Sequence, residues 1–313
     1  MLSLVVDYRP GNEFAFAAAR VADILAICET PFRLLSTTPP ATGVHPLWDR
    51  EVGRFSSWRP SKGLGVVAFG VPLSPARCVI YVARASDPPE LTKQFPYCVF
   101  PCLSLAVASG RKGRCGSIFW DIGRDISVKP VGGALPSPTV AVWLDSASAV
   151  LMRGRLGEAL SLLSTAVPDL HIRLLRFGSV CRDDRAAIRA LATTGRVADQ
   201  PINHVGDALA VLAASHAIVA PEAIGCLGMP AAFAAACQLP IVAFAVQPYC
   251  EQIGMSAWGV AVPPRDAGAG LCRAIASVLT PEAQRCSAEW YGAQQPGGRM
   301  AAASCEFWTA LLG

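Results

Sequence analysis

Side chains able to do acid, base or metal chemistry are few in this sequence. Its 313 residues hold 23 acidic and 27 basic side chains but only four histidines, His45, His171, His204 and His216. None of the four pairs with a cysteine at zinc-site spacing. The twelve cysteines are scattered without a C-x-x-C, Cys98 and Cys102 being the closest two, so they read as buried, reduced thiols and no metal site is expected. There is no G-x-G-x-x-G (Gly63, Gly65 and Gly70 are misspaced), no G-x-x-x-x-G-K-[ST] and no G-x-S-x-G. Dinucleotide redox chemistry, P-loop hydrolysis and serine-hydrolase chemistry therefore lack their fingerprints.

What the sequence does concentrate is basic and aromatic character. Residues 45–62 (HPLWDREVGRFSSWRPSK) interleave Trp48, Phe55 and Trp58 with Arg50, Arg54, Arg59 and Lys62. Such a mixture suits stacking on bases or sugars together with pairing to phosphates; the competing reading is a loop that folds its aromatics onto the core. Arg111, Lys112 and Arg114 form a second basic cluster. Residues 1–138 carry 15 basic and 10 acidic side chains, whereas 139–313 carry 12 and 13. A basic N-terminal half fits an anionic partner, nucleic acid included.

The elements that must position these residues follow a β-then-α rhythm. Apolar runs at 2–6, 32–35, 66–71, 78–83 and 98–108 read as strands, with a helix over 14–27 capped by Asn12. Continuous apolar strands, as opposed to alternating ones, belong to a parallel sheet covered on both faces. Residues 129–138 (KPVGGALPSP) make the best linker. Beyond it strands at 139–144, 172–177, 217–219 and 241–246 alternate with helices at 157–166, 183–193, 205–215, 230–237, 268–279, 281–291 and 300–312. The expected fold is α/β: two Rossmann-like, doubly wound parallel-sheet domains facing a cleft. The expected division is 1–134, 135–296 and a terminal helix at 297–313 returning to the N-terminal domain. Residues 229–246 are uncharged and nearly long enough to span a bilayer, but Pro230 and Pro240 divide them into a buried helix and a strand. With no basic leader in MLSLVVDYRP, no transmembrane segment is expected and the location expected is cytoplasmic.

Residues 216–266 carry the most specific pattern. Ala220-Pro221, Gly228-Met229-Pro230, Ala236-Cys237, Pro240-Ile241, Glu251 and the run Gly259 to Pro264 (GVAVPP) occur in the order of a known signature. The segment resembles the C-terminal lobe of GT-B-fold nucleotide-sugar glycosyltransferases, with their "PS", "GFGLP", "ACG", "PV", "GGxPE" and "GxLVPP" pieces. Residues 124–133 look like that family's interdomain stretch, and 140–163 are similar to its "GRLxxxKG" segment with Arg153 at the lysine. Residues 2–28 are consistent with its first strand, loop and helix. The resemblance implies a nucleoside-diphosphate sugar as donor substrate, with no metal and no resident cofactor. Donor contacts would fall on Arg153, Glu222, Gly228, Met229 and Glu251, because backbone N–H groups at a helix start and an arginine fork both suit a diphosphate. The acceptor side would use Gly11, Arg50, Trp58 and Arg59; the acceptor itself is open, a modified DNA base or another anionic molecule being the class considered.

The paired glutamates of that family, E-x7-E, fall here on Gly225 and Phe233. A phenylalanine cannot hold ribose hydroxyls, so it reads as core packing, and Glu222, three residues early, is the substitute for the first glutamate. A retaining enzyme needs mainly a clamp on the departing diphosphate; an inverting one needs a base at the acceptor hydroxyl. Asp7, Glu13, His45, Asp49 and Asp87 are the candidate bases. Asp7, directly after the first strand, is preferred and Asp87 comes next, the alternative being that either merely caps a turn. The functional expectation is a glycosyltransferase, with a non-catalytic binding module and a sugar-nucleotide epimerase on the same fold as alternatives.

Overall fold

The computed structural model describes residues 1–7, 13–38, 55–57, 65–71, 73–74, 78–118, 120, 137–144, 162–163, 165–167, 169–177, 189, 192, 196–202, 205–221, 227–254, 259–266, 268–294 and 296–312. The chain divides into two compact units. The first comprises Met1–Gly123, Gly225–Met229 and Gly298–Gly313; the second comprises Arg124–Ile224 and Pro230–Gly297.

In the first unit, β1 (Leu2–Val6), α1 (Glu13–Ile27), β2 (Phe32–Ser36), β3 (Phe55–Ser57), β4 (Gly65–Phe69) and β5 (Cys78–Val82) follow in order. Next come α2 (Pro89–Thr92), β6 (Tyr97–Phe100), α3 (Leu103–Ala108) and β7 (Cys115–Ser117). All pairings are parallel, in the order β3-β2-β1-β4-β5-β6-β7. Helix α1 packs on β1, β2 and β4. Its first three turns (EFAFAAARVA) are buried on every side, the mostly small apolar residues joined by two buried charged ones, Glu13 and Arg20.

The second unit begins with β8 (Thr139–Leu144), β9 (His171–Phe177), β10 (Val197–Ile202), α4 (Val205–Ala213) and β11 (Ala217–Ala220). It continues through α5 (Met229–Ala236), β12 (Ile241–Phe244), α6 (Tyr249–Gly254), β13 (Gly259–Val262), α7 (Ala269–Val278) and α8 (Pro281–Gln294). Its strand order is β10-β9-β8-β11-β12-β13, again parallel throughout. Counted from its own first strand this is 3-2-1-4-5-6, the doubly wound order, and the first sheet follows the same order with one strand added. Both sheets thus reverse winding direction between their first and fourth strands, where the carboxyl ends of such sheets open a ligand crevice.

The terminal helix α9 (Pro296–Leu312) closes the first unit. Trp308, with no exposed surface, lies 6.3 Å from Phe69 and 6.0 Å from Trp120 between ring centroids. Aromatic contacts at those separations contribute beyond simple area burial.

Several elements differ from the sequence expectation. The run 98–108 is not one strand: β6 ends at Phe100, Pro101 intervenes, and α3 begins at Leu103. Strand β10 (VADQPI) was not expected because it is polar; it is an edge strand paired with β9 alone, so half of it faces outward. Three cysteines, Cys28, Cys250 and Cys286, are exposed, against the expectation of buried thiols. Where burial does hold, it raises the thiol pKa to about 12 at Cys78 and Cys237 and to about 11 at Cys98, keeping those thiols protonated. Among the described residues no helix is long and apolar enough to cross a membrane.

Candidate diphosphate-binding loop

The segment between β11 and α5 lies at the reversal point of the second sheet. Strand β11 (AIVA) is buried throughout and ends at Ala220, and the chain reaches α5 through Leu227 and Gly228. Gly228 has φ of +76°, a left-handed conformation that a side chain resists by roughly 1–2 kcal/mol. Met229 starts the helix and is 1% exposed. Pro230 in the first turn is tolerated because that N–H would have no helical partner. The helix stops in a Schellman arrangement: Leu239 N–H reaches Ala234 C=O at 2.9 Å and Gln238 N–H reaches Ala235 C=O at 3.3 Å, with Gln238 left-handed at φ 55°. Ala231, Ala232, Ala234 and Ala235 are buried and let the helix lie close on the sheet.

Beneath the same helix the wall is aromatic. Phe233, 2% exposed, lies 5.0 Å from the Trp143 ring, and Trp143 lies 4.2 Å from Phe177. Trp143 and Phe177 sit near the carboxyl ends of β8 and β9. The position where the resembling family has its second glutamate is therefore one member of an aromatic trio centred on Trp143. Among the described residues the rings around it offer a carboxylate no partner, so one placed there would lose its water uncompensated.

In the first unit, Asp7 follows β1 at the corresponding reversal point. Its Oδ1 accepts a 2.7 Å hydrogen bond from the Thr38 hydroxyl, just beyond β2. Gly70, with φ of +62°, follows β4 opposite it and lies so close to the Phe14 ring that an added Cβ would meet it at 3.0 Å. The Arg84 guanidinium lies 5.4 Å from the Phe14 ring centroid, a cation–π contact. Asp87 belongs to a different corner. Its Oδ2 accepts from the Tyr81 hydroxyl and from Arg84 N–H, each at 2.8 Å, which ties the turn after β5. Burial, reinforced by Asp87, pushes the Tyr81 hydroxyl pKa well up. Because β4 lies between β1 and β5, Asp7 and Asp87 hang from strands about 10 Å apart. They do not form a carboxylate pair.

Glu251 lies in the first turn of α6, half-buried, after the cis Gln247–Pro248 bond. Gly11, Arg50, Trp58, Arg59, Arg153 and Glu222 lie outside the described residues. Arg111, from the second basic cluster, turns inward: its guanidinium donates to Thr92 C=O at 2.7 Å and also to the Phe95 carbonyl. It therefore serves the fold, leaving Lys112 and Arg114 exposed. Among the described residues no group of His, Cys, Asp and Glu is arranged to hold a metal. An open hollow bordered by Glu29, Pro31, Phe32 and Arg33 lies at the amino ends of the first sheet, opposite that sheet's reversal point.

One contact was missed by sequence reasoning. Leu227 N–H donates to Glu13 Oε2 at 2.7 Å, in a buried setting. The sequence offers Glu13 only as a candidate base, and no sequence signal pairs it with residue 227.

Comparison with solved structures names this architecture. WaaG, a glycosyltransferase involved in lipopolysaccharide biosynthesis, superposes with a TM-score of 0.73 over 99% of this chain and 100% of its own, at 14% identity. Sucrose-phosphate synthase from Thermosynechococcus elongatus gives 0.64 over 99% of each chain at 14% identity. Anabaena HepE, solved in complex with UDP and glucose, gives 0.68 over 96% of this chain and 94% of its own at 13% identity. The chain has the GT-B fold. No protein-family description and no curated protein matches the sequence. In GT-B terms, the second Rossmann-like sheet is the one whose loop into α5 carries the Gly228-Met229-Pro230 signature, and the aromatic trio around Phe233 is this chain's departure from it.

Proposed function

We propose that this GT-B chain is a glycosyltransferase, binding a nucleoside-diphosphate sugar at the loop into α5. The carrying observation is the left-handed Gly228 opening a buried, close-packed helix at the reversal point of the second sheet. Backbone N–H groups there, added to the helix dipole, favour a diphosphate. HepE, of the same fold, holds UDP and glucose, which supports the choice of ligand. In the transfer, the bond from the anomeric carbon to the diphosphate oxygen breaks and its electron pair leaves with the diphosphate. The acceptor hydroxyl forms the new bond and gives up its proton. Arg153 would neutralise the leaving group, and in an inverting reaction Asp7 would take the proton. The basic and aromatic residues Arg50, Trp58 and Arg59 favour an anionic acceptor, a nucleic-acid base among them. No metal is needed for such a clamp.

A second reading, a nucleotide-binding module without transfer, is favoured by one observation: Phe233, at the position of the resembling family's ribose-binding glutamate, is packed into an aromatic trio with Trp143 and Phe177. Mass spectrometry after incubation with a panel of nucleoside-diphosphate sugars separates the readings. Release of nucleoside diphosphate from one donor, lowered by Arg153→Ala, is the expected result. Binding without release would favour the module, and neither binding nor release would overturn both. A rearranged donor formed without any acceptor would indicate an epimerase.

A further inference from the structure

The segment that opens α5 is held by a carboxylate from the opposite end of the sequence. Glu13 Oε2 accepts from Leu227 N–H at 2.7 Å across 214 positions of sequence. Glu13 is 8% exposed and Leu227 has no exposed surface. Both belong to the first compact unit, although α5 itself, from Pro230 onward, counts with the second. Glu13 is also the first residue of α1, where unsatisfied N–H groups and the helix dipole favour a negative charge. A charge-assisted N–H to carboxylate bond is stronger than a neutral one and directional. Here it fixes the backbone one residue before Gly228, whose left-handed φ sets the direction in which α5 starts.

We infer that Glu13 is a positioning residue for the diphosphate-binding loop, its buried carboxylate holding Leu227 and so presetting the N–H groups that follow. The diphosphate in this statement rests on the function proposed above; the tether itself does not. Two consequences follow from the chemistry. Removing the acceptor frees the loop, so part of the ligand's binding energy goes into ordering it. Removing only the charge keeps the tether and eliminates repulsion between Glu13 and an incoming diphosphate.

The test compares wild type, Glu13→Gln and Glu13→Ala by residue-resolved amide exchange without ligand and by titration with UDP and with inorganic pyrophosphate. Leu227 N–H exchange is expected to quicken about tenfold or more in Glu13→Ala and to stay near the wild-type rate in Glu13→Gln. UDP affinity is expected to fall about tenfold in the alanine variant and to return to the wild-type value or above it in the glutamine variant. Wild-type exchange at Leu227 in Glu13→Ala would overturn the inference. Equal losses in both variants would overturn it too, because glutamine keeps an acceptor oxygen. If wild type binds neither UDP nor pyrophosphate, the donor reading fails, and the exchange comparison alone decides the role of Glu13.

Discussion

The two sheets share one winding order and differ in what they bury at its reversal point. The first places a polar group there, Asp7 bonded to Thr38. The second places a left-handed glycine and a small-residue helix above an aromatic trio. Strand order follows from apolar runs and right-handed crossovers, which many sequences satisfy. Site chemistry depends on single residues near the strand ends, which the strand order does not dictate. One fold can therefore carry different site chemistry, and Phe233 is the position where this chain has an aromatic ring in place of the carboxylate that the resemblance leads one to expect.

Replacing Phe233 should break the comparison most severely. Phe233→Glu removes a ring from the trio and buries an unpaired charge, so a loss of about 4 kcal/mol or more is expected in chemical denaturation. A fully stable Phe233→Glu protein would mean that the pocket retains room and partners for a carboxylate. Trp308→Ala should cost about 3–5 kcal/mol, with the loss confined to the first unit because Trp308 packs on Phe69 and Trp120. Amide exchange should quicken in β4 before it does in β8 or β11; simultaneous loss in both units would show that they unfold as one. Gly228→Ala is a smaller change, about 1–2 kcal/mol from left-handed strain. It should weaken UDP binding more than it lowers the melting temperature, and the reverse pattern would make Gly228 a structural residue only.

The smallest effect is a pH dependence. His216 Nδ1 accepts the Thr139 N–H at 3.1 Å, and burial lowers its pKa from 6.5. The unfolded chain therefore takes up a proton before the folded one does. The stabilisation is complete above pH 6.5 and declines as the pH falls below that value. The melting temperature should fall between pH 7 and pH 5.5 by more in wild type than in His216→Asn; identical slopes would remove His216 from the account.

Much of this was legible in the sequence, for reasons that can be named. Runs such as VVAF, TVAVWL and IVAF are too apolar for anything but a sheet covered on both faces, and Gly228-Met229-Pro230 carries its own turn and helix-start chemistry. β7 and β10 were not legible, because CGS is only three residues long and VADQPI is a half-exposed edge. The run 98–108 was misread since apolarity alone does not distinguish a strand from the helix that follows Pro101. Phe233 was correctly expected in the core, but its partners Trp143 and Phe177 could not be named. The Glu13–Leu227 bond was beyond reach because hydrogen bonding between distant positions leaves no periodic trace.

The most direct measurement of the central claim is amide exchange across the whole chain with and without a nucleoside diphosphate. Protection is expected at residues 227–234, where the loop enters α5, for a diphosphate and not for the corresponding monophosphate. A bound diphosphate that leaves those residues unprotected while slowing exchange elsewhere would contradict it.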